Sequence, residues 1–435
     1  MNLESIKSVV LAVLVIMSLI LTLSIWTFSD YDEINEDITK NISINGQEAD
    51  MNDVILPSQV VFHQQNQSYQ FTEKTDQVNF YQDLKEWNVL FLDEQKPLDN
   101  LGQSYVELIF PTEIPLSLLP NMFNVTEDST RTYPDWAFNR MIVKPNHDSE
   151  SLSIWFRSTN HNQVLNVEVQ DSKAYASVVN QAQSHNDLSE LITYEVNNRV
   201  IYLPEEKPAL SKQTFTTNSI SIEPLINNLF QASDNVRETS DGRFTDGTRM
   251  LEEYEVFSHQ NYMRFVNPRN PNTTGNSFMR DELITESILF LNNHDGWTHD
   301  YMLTEISDDG TTIEFQMLFD GHQVISQLGH IEQSWVNREL NTYIRPLMRL
   351  STSLSHEEVS LRSGEDIRSL LEAEPRMFPE KTIEDIQIVY TMSEEEGFSS
   401  DIISLEPKWF IKQNGRWAPI PKEDEMLEVQ GGKKQ

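Results

Sequence analysis

Two aspartate–glycine pairs, Asp241-Gly242 and Asp246-Gly247, place carboxylates where they could bind calcium. Calcium prefers oxygen ligands, but its common loop follows a D-x-[DN]-x-[DN]-G pattern that is missing here. Asp-Gly pairs are also typical of turns, because glycine adopts left-handed φ values at no steric cost. We therefore interpret both pairs as turns.

A second group could bind a metal ion through imidazole. His294 and His299 flank Asp295 and Gly296, and Asp300 follows directly. Helical zinc sites favour histidines four residues apart, and a spacing of five suits neither a helix nor one face of a strand. We interpret this group as a turn with ordinary polar residues.

Catalytic motifs are missing from the sequence. It contains no G-x-S-x-G, H-E-x-x-H or G-x-x-x-x-G-K-[ST] pattern. With 68 acidic residues, pairs of carboxylates occur by chance and do not indicate a glycosidase. The sequence predicts no enzyme, no cofactor and no metal. A wall hydrolase is a further hypothesis, which the missing motifs disfavour and which activity of the purified soluble part on peptidoglycan would revive.

Four tryptophans, Trp297, Trp335, Trp409 and Trp417, are predicted to lie in cores. An exposed cluster of them would instead indicate contact with a protein or a glycan.

The elements that must position these residues alternate between helix and strand. Helices are predicted at Ser172 to Gln183 and at Arg280 to Asn292, and one long strand at Glu195 to Leu203. After Pro204 to Pro208, which reads as a linker, a helix followed by two or three antiparallel strands recurs. Asp309-Gly310 and Asn414-Gly415 are predicted hairpin turns. The predicted fold class is α+β, with repeated helix-plus-antiparallel-strand modules.

Composition excludes several functions. The net charge is −36, and such a surface repels nucleic acid, whose binding needs clustered lysines and arginines. Cysteine is absent, so disulfides and cysteine-ligated metals are excluded. The aromatic content is sufficient for real hydrophobic cores.

Residues Ser8 to Phe28 form an uncharged apolar run. A helix over this run would be about 30 Å long, which matches the hydrocarbon core of a bilayer. A signal peptide is the alternative, but its apolar core is shorter and ends in a small-x-small site that is missing here. Lys7 precedes the run and Lys40 is the first basic residue after it. The sequence thus predicts a single-pass cell-membrane protein with a cytoplasmic N-terminus and an extracytoplasmic bulk.

At 100° per residue, one stripe of this helix carries several small or hydroxyl side chains, which favour close helix packing in lipid. We predict that the stripe faces a partner; it consists of Ser8, Ala12, Val15, Leu19, Thr22 and Trp26.

The predicted domains are an anchor at 1–29, a mixed α/β domain at 30–205, and α+β domains at 206–349 and 350–435.

Several ordered elements carry a family resemblance. They include TDGTRML (Thr245 to Leu251), YMRFVNP (Tyr262 to Pro268), FLNNHDGWTHDYMLTEI (Phe290 to Ile306) and FDGHQVI (Phe319 to Ile325), followed by YIRPLMRL (Tyr343 to Leu350). With the apolar N-terminal run, this resembles the YycH (WalH) family, and the C-terminal half is similar to YycI. The signature residues, interpreted as structural, are Thr245, Asp246, Gly247, Arg249, Leu251, Asn267, Pro268, Gly296, Trp297, Arg345, Pro346 and Leu347.

This resemblance implies a non-catalytic regulator of a two-component sensor histidine kinase in cell-wall homeostasis of Gram-positive bacteria. Its implied partners are a WalK (YycG)-like kinase and a YycI-like protein, contacted largely through transmembrane helices. A homo-oligomer is left open. The alternative is an extracytoplasmic protein that binds a ligand or senses the wall, through a groove in the repeated modules.

Overall fold

The computed structural model of the chain describes residues 17–18, 43–92, 98, 101–125, 132–159, 163–184, 187–197, 199–230, 235–268, 277–395 and 401–422. Within these ranges the architecture is mixed α and β with mostly strand content. None of the helices described there is long and apolar enough to cross a membrane. The predicted anchor and its partner-facing stripe lie outside the described residues, apart from Met17 and Ser18.

Ten strands of the first region form one sheet in the order β10-β9-β2-β1-β4-β6-β7-β8-β3-β5. The strands are β1 (Gln59–Gln64), β2 (Gln67–Phe71), β3 (Asn88–Phe91), β4 (Ser104–Pro115), β5 (Asn124–Val125), β6 (Ala137–Asn146), β7 (Ser151–Arg157), β8 (Val164–Val169), β9 (Leu188–Val196) and β10 (Arg199–Pro204). Neighbouring strands are antiparallel except β3 and β5, which run parallel.

The helices of this region are α1 (Met51–Val54), α2 (Lys74–Lys85), α3 (Leu119–Met122) and α4 (Ser172–Gln183). Helix α4 has the predicted bounds. Asp171 caps its N-terminus, because the Asp171 side chain accepts hydrogen bonds from the backbone amides of Lys173 and Ala174. Such a cap satisfies two otherwise unpaired donors. Helix α4 contacts β7, and every residue of β7 except Arg157 is buried. Both faces of β7 are therefore covered, and Ser151 and Ser153 are buried as well as Leu152 and Ile154.

The predicted single strand at Glu195 to Leu203 is wrong. The chain turns at Asn197, whose φ of 51° lies in the left-handed region. Strands β9 and β10 then pair antiparallel as a hairpin, with Arg199 opposite Val196. The turn is marked by asparagine and not by glycine or proline, so the strand-like residues on both sides of it were interpreted as one strand.

Nine strands of the second region form another sheet, in the order β12-β13-β14-β15-β20-β19-β17-β16 with β18 paired to β17. They are β12 (Arg237–Glu238), β13 (Phe244–Thr245), β14 (Met250–Phe257), β15 (Gln260–Val266), β16 (Tyr301–Ile306), β17 (Thr312–Phe319), β18 (His322–Gln323), β19 (His330–Val336) and β20 (Glu339–Pro346). Its helices are α5 (Glu223–Leu229) and α6 (Arg280–Asn292), the latter with the predicted bounds. The first two predicted helix-and-strand modules therefore share one sheet, because β15 pairs with β20.

The third sheet has the order β21-β11-β23-β22, with β24 paired to β23. Its elements are β11 (Ala209–Ser219), β21 (Met348–Ser360), α7 (Gly364–Ala373), β22 (Ile383–Glu394), β23 (Ile402–Gln413) and β24 (Arg416–Pro419). Strand β11 follows the predicted linker but pairs with strands from the end of the chain. The domain ranges stay a prediction.

The turn between β17 and β18 joins the three sheets. At Gly321 an added Cβ would lie 2.6 Å from the Lys74 Cβ of α2. The Asp320 carboxylate accepts a hydrogen bond from the Gln213 amide of β11 at 2.9 Å. The backbone amide of Ile325 donates to the Tyr390 carbonyl of β22 at 2.8 Å. The predicted FDGHQVI element is thus a point of contact between all three sheets.

Candidate functional site

The signature residues lie in two groups on the nine-stranded sheet. One group surrounds the hairpin of β13 and β14 and the end of β15. It consists of Thr245, Asp246, Gly247, Arg249, Leu251, Asn267 and Pro268. The other surrounds the turn after α6 and the end of β20, and consists of Gly296, Trp297, Arg345, Pro346 and Leu347.

The first group forms a turn. The Asp246 carboxylate accepts hydrogen bonds from the amides of Thr248 and Arg249 at 2.9 and 2.7 Å. The Thr245 hydroxyl donates to the Arg249 carbonyl at 2.6 Å, and Gly247 has a φ of 88°. Gly242 likewise has a φ of 75°. Both Asp-Gly pairs are therefore turns, as predicted, and the Asp246 side chain is occupied by the backbone.

The second group centres on Arg345, whose side chain is completely buried. Its guanidinium donates to the Tyr343 hydroxyl at 3.1 Å, to the Thr298 hydroxyl at 3.4 Å and to the Pro346 carbonyl at 3.2 Å. Among the described residues, no carboxylate lies within 4 Å of this guanidinium. A buried charge without a counterion is costly, so its neighbours must be neutral acceptors.

The two histidines near Arg345, His294 and His299, are such neutral neighbours. His294 Nδ1 lies 3.0 Å from the Phe290 carbonyl, which only accepts, so Nδ1 carries the proton. Its Nε2, 3.1 Å from the Tyr343 hydroxyl, then accepts from that group. Burial lowers the pKa of His294 to about 3 and the Arg345 charge adds to this effect. The pKa of His299 falls to about 4 for the same two reasons.

His294 and His299 do not form a metal site with the aspartates near them. The His299 Nε2 atom accepts a hydrogen bond from the Leu350 amide at 2.9 Å. Each ring is thus engaged with the protein itself. In the described part of the chain, the residues that could hold a metal ion lie elsewhere, on β17 and β19.

Arg345 holds both ends of the turn from His294 to Thr298, which we call the docking turn. It bonds Thr298 directly and reaches His294 through the Tyr343 hydroxyl. Within the turn, a Cβ added at Gly296 would lie 2.7 Å from the Leu291 carbonyl oxygen and 2.9 Å from His294 Nε2. Only glycine fits there, which explains its place in the signature.

Residues 43–50, which we call the lead-in segment, bind this turn. They follow the predicted anchor in sequence. The Ile44 amide donates to the His294 carbonyl at 3.1 Å, and the Gln47 amide donates to the Trp297 carbonyl at 2.9 Å. Trp297 returns a bond from its amide to the Gln47 carbonyl at 3.3 Å. The lead-in segment thus extends the fold as an added antiparallel bridge.

Side chains secure this contact. Asn292 accepts from the Ala49 amide and from the Trp297 indole at 3.0 and 2.7 Å, and its own amide donates to the Ala49 carbonyl at 3.0 Å. The Arg349 guanidinium donates to the Asn45 carbonyl at 2.7 Å. Several hydrogen bonds therefore fix the lead-in segment to the nine-stranded sheet.

Sequence reasoning identified Gly296, Trp297 and Arg345 only as parts of a signature. It gave no role to Gly46, or to Asn292 and Tyr343 within the quoted elements, because the contact of Asn292 with Ala49 spans 243 positions of the chain and that of Tyr343 with His294 spans 49. A weak signal was present, because both contacting segments contain a glycine: Gly46 in I-N-G-Q and Gly296 in H-D-G-W.

The predicted core tryptophans divide into two pairs. Trp297 and Trp409 are buried. Trp335 and Trp417 are half-buried, and Trp335 packs edge-on against Phe278 and Phe290.

A cavity of about 70 Å³ lies where the three sheets meet, lined by Lys74, His322, Gln387 and Trp409 among others. Small-molecule sites are typically several times larger, about 300–1,000 Å³. The Lys74 ammonium already donates to the Ser58 carbonyl at 2.7 Å, and burial lowers the pKa of His322 to about 3. This cavity is too small for a wall fragment.

Fold and site together define a multi-sheet α+β protein in which the signature residues support turns and a docking contact. The sequence matches the family models for the YycH protein N-terminal domain over residues 4–186 and C-terminal domain over residues 197–426. The chain belongs to the YycH family.

Two relatives agree with this assignment. The chain is 23% identical over 454 aligned residues to the two-component system WalR/WalK regulatory protein YycH of Bacillus subtilis (strain 168), covering 97% of each chain. The crystal structure of YycH from Bacillus subtilis superposes with a TM-score of 0.71 at 20% identity, covering 88% of this chain and all of that one. The likeness in structure establishes the fold.

Proposed function

We propose that this protein is a non-catalytic regulator of a WalR/WalK-type two-component system. The observation that carries the proposal is the similarity to the Bacillus subtilis regulatory protein, which extends over 97% of both chains. The signature residues bond to backbone groups and to one another, which fits a structural role for them in the fold. We propose a WalK-like sensor kinase and a YycI-like protein as partners.

The proposed mechanism joins the membrane to the nine-stranded sheet. Ser8 to Phe28 cross the membrane, with the N-terminus in the cytoplasm, and the small-residue stripe packs against a kinase helix. The lead-in segment, which follows this anchor in sequence, binds the docking turn. Regulation then requires that the anchor bind one signalling state of the kinase better than the other, since equal affinity would shift nothing.

The first experiment tests the stripe. Ala12→Phe and Thr22→Phe should weaken association with the kinase in a membrane two-hybrid assay, because a bulky ring prevents close helix approach. Leu14→Phe and Leu21→Phe add the same ring on other faces and should leave association near wild type. Equal losses for both pairs would refute a partner-facing stripe.

The second experiment tests regulation itself. Kinase autophosphorylation is measured in proteoliposomes with the full chain, with residues 1–29 and with residues 30–435. We expect the full chain to change the rate, residues 1–29 to retain part of the effect, and residues 30–435 to have little. A full chain without any effect on the kinase would contradict the proposed function.

A further inference from the structure

Three potential metal ligands converge on one face of the nine-stranded sheet. Glu314 of β17 lies directly opposite Glu332 of β19. His330 is two residues before Glu332 and therefore points to the same face. One ligand atom from each of the three side chains lies within 4.8 Å of the others, and all three residues are half-buried. We propose that Glu314, His330 and Glu332 bind a divalent transition-metal ion.

The donor set determines the class of metal. An imidazole nitrogen with two carboxylates suits Zn²⁺ and related transition metals, whereas calcium and magnesium prefer oxygen alone. Ligand atoms around tetrahedral zinc lie roughly 3.4 Å apart, given bonds of about 2.1 Å. The ligand atoms here lie within 4.8 Å of one another, so side-chain rotations that bring them about an ångström closer would reach the zinc spacing. Three protein ligands leave a fourth position for water or an exogenous ligand.

The local charge favours a cation. Glu305 of β16 lies opposite Glu314, so three carboxylates cross adjacent strands in one row, an unfavourable arrangement for like charges. Lys412 pairs with Glu305 at 3.0 Å. A bound divalent ion would compensate the remaining negative charge.

The strands hold the ligands in place. Gln316, opposite His330 in the register, donates from its side-chain amide to the carbonyls of Val324 and Gly329. These bonds fix the turn that leads into β19. On the other face of β17, Ile313 and Phe315 are fully buried in the core. Ligands on such rigid strands need little ordering when a metal binds.

A proton-bound cluster is the rival explanation. His330 Nε2 lies 3.6 Å from the Glu332 carboxylate, so a protonated His330 could balance the charge without a metal. The two explanations differ in their response to metal ions and to substitution.

The experiment uses the full chain, purified in detergent and stripped with a chelator. Titration calorimetry with Zn²⁺ should detect one site per chain. His330→Gln and Glu332→Gln should weaken Zn²⁺ binding at least tenfold. His356→Gln is the matched control, because His356 is an exposed histidine beside two glutamates on β21, and it should leave binding unchanged.

Glu314→Gln separates loss of the site from loss of the fold. It removes a crowded carboxylate, so the melting temperature of the metal-free protein should rise while the Zn²⁺-induced increase disappears. Absent Zn²⁺ binding, or binding that survives all three substitutions at the site, would overturn the proposal. So would a loss in His356→Gln as large as that in His330→Gln, which would indicate an adventitious ion only.

Discussion

The docking of the lead-in segment makes a sharp prediction for Gly46→Ala. A Cβ at this position would lie 2.3 Å from the Asp295 carbonyl oxygen and 2.7 Å from that of Trp297. Real Cβ atoms do not approach backbone this closely, and the clashing atoms belong to the turn that Arg345 holds. We therefore expect the segment to leave the turn.

The magnitude follows from the contacts that are lost. Three backbone hydrogen bonds join the segment to the turn, one through Ile44 and two through Gln47. At about 1 kcal/mol net for each bond, the free energy of opening the segment should fall by about 3 kcal/mol. Since about 1.4 kcal/mol corresponds to a factor of ten, the local opening equilibrium should rise roughly 100-fold.

Hydrogen exchange followed by mass spectrometry measures this opening directly. In the Gly46→Ala variant, peptides from residues 43–50 should exchange roughly 100-fold faster, while peptides from α4 keep their protection. Glu48→Ala is the matched control, because Glu48 is an exposed residue of the same segment. Wild-type protection of Gln47 in the Gly46→Ala variant would refute the docking contact.

Three further predictions concern stability. Asn292→Ala should accelerate hydrogen exchange in the lead-in segment about tenfold or more, because two hydrogen bonds to Ala49 are lost. The control Asn293→Ala, at the exposed neighbouring residue, should leave exchange unchanged. Equal effects of the two variants would contradict the role of Asn292. The pKa of His294 is depressed to about 3, so its contribution is complete above pH 6.5 and is lost as the pH falls towards 3. Urea unfolding at pH 7 and pH 5 should show a loss that is about 2 kcal/mol smaller in His294→Gln than in wild type, at about 1.36 kcal/mol per pH unit; an unchanged loss would show that His294 is not the group responsible. Tyr81→Phe should raise stability by about 1 kcal/mol in the same assay, because the Tyr81 hydroxyl is buried without a partner among the described residues, and a decrease would reveal an unseen acceptor.

Local signals in the sequence determined several elements. Helices α4 and α6 have their predicted bounds, and the turns at Gly310 and Asn414-Gly415 have the expected positive φ values. These features depend on caps, on the period of apolar residues and on glycine, all of which act over a few residues. The hairpin at Asn197 also had a local signal, because asparagine tolerates left-handed φ, but the prediction gave more weight to the strand-like residues on both sides.

The tertiary structure alone decided which distant residues meet. The sequence shows an apolar run, a signature and an acidic surface, but it does not show that Ile44 binds His294, that Arg345 supports both ends of one turn, or that β11 pairs with β21 and β23. It also does not reveal that Glu314 and Glu332 face each other on the paired strands β17 and β19. Strand register depends on how all the apolar faces are buried together, and no single window of sequence contains that information.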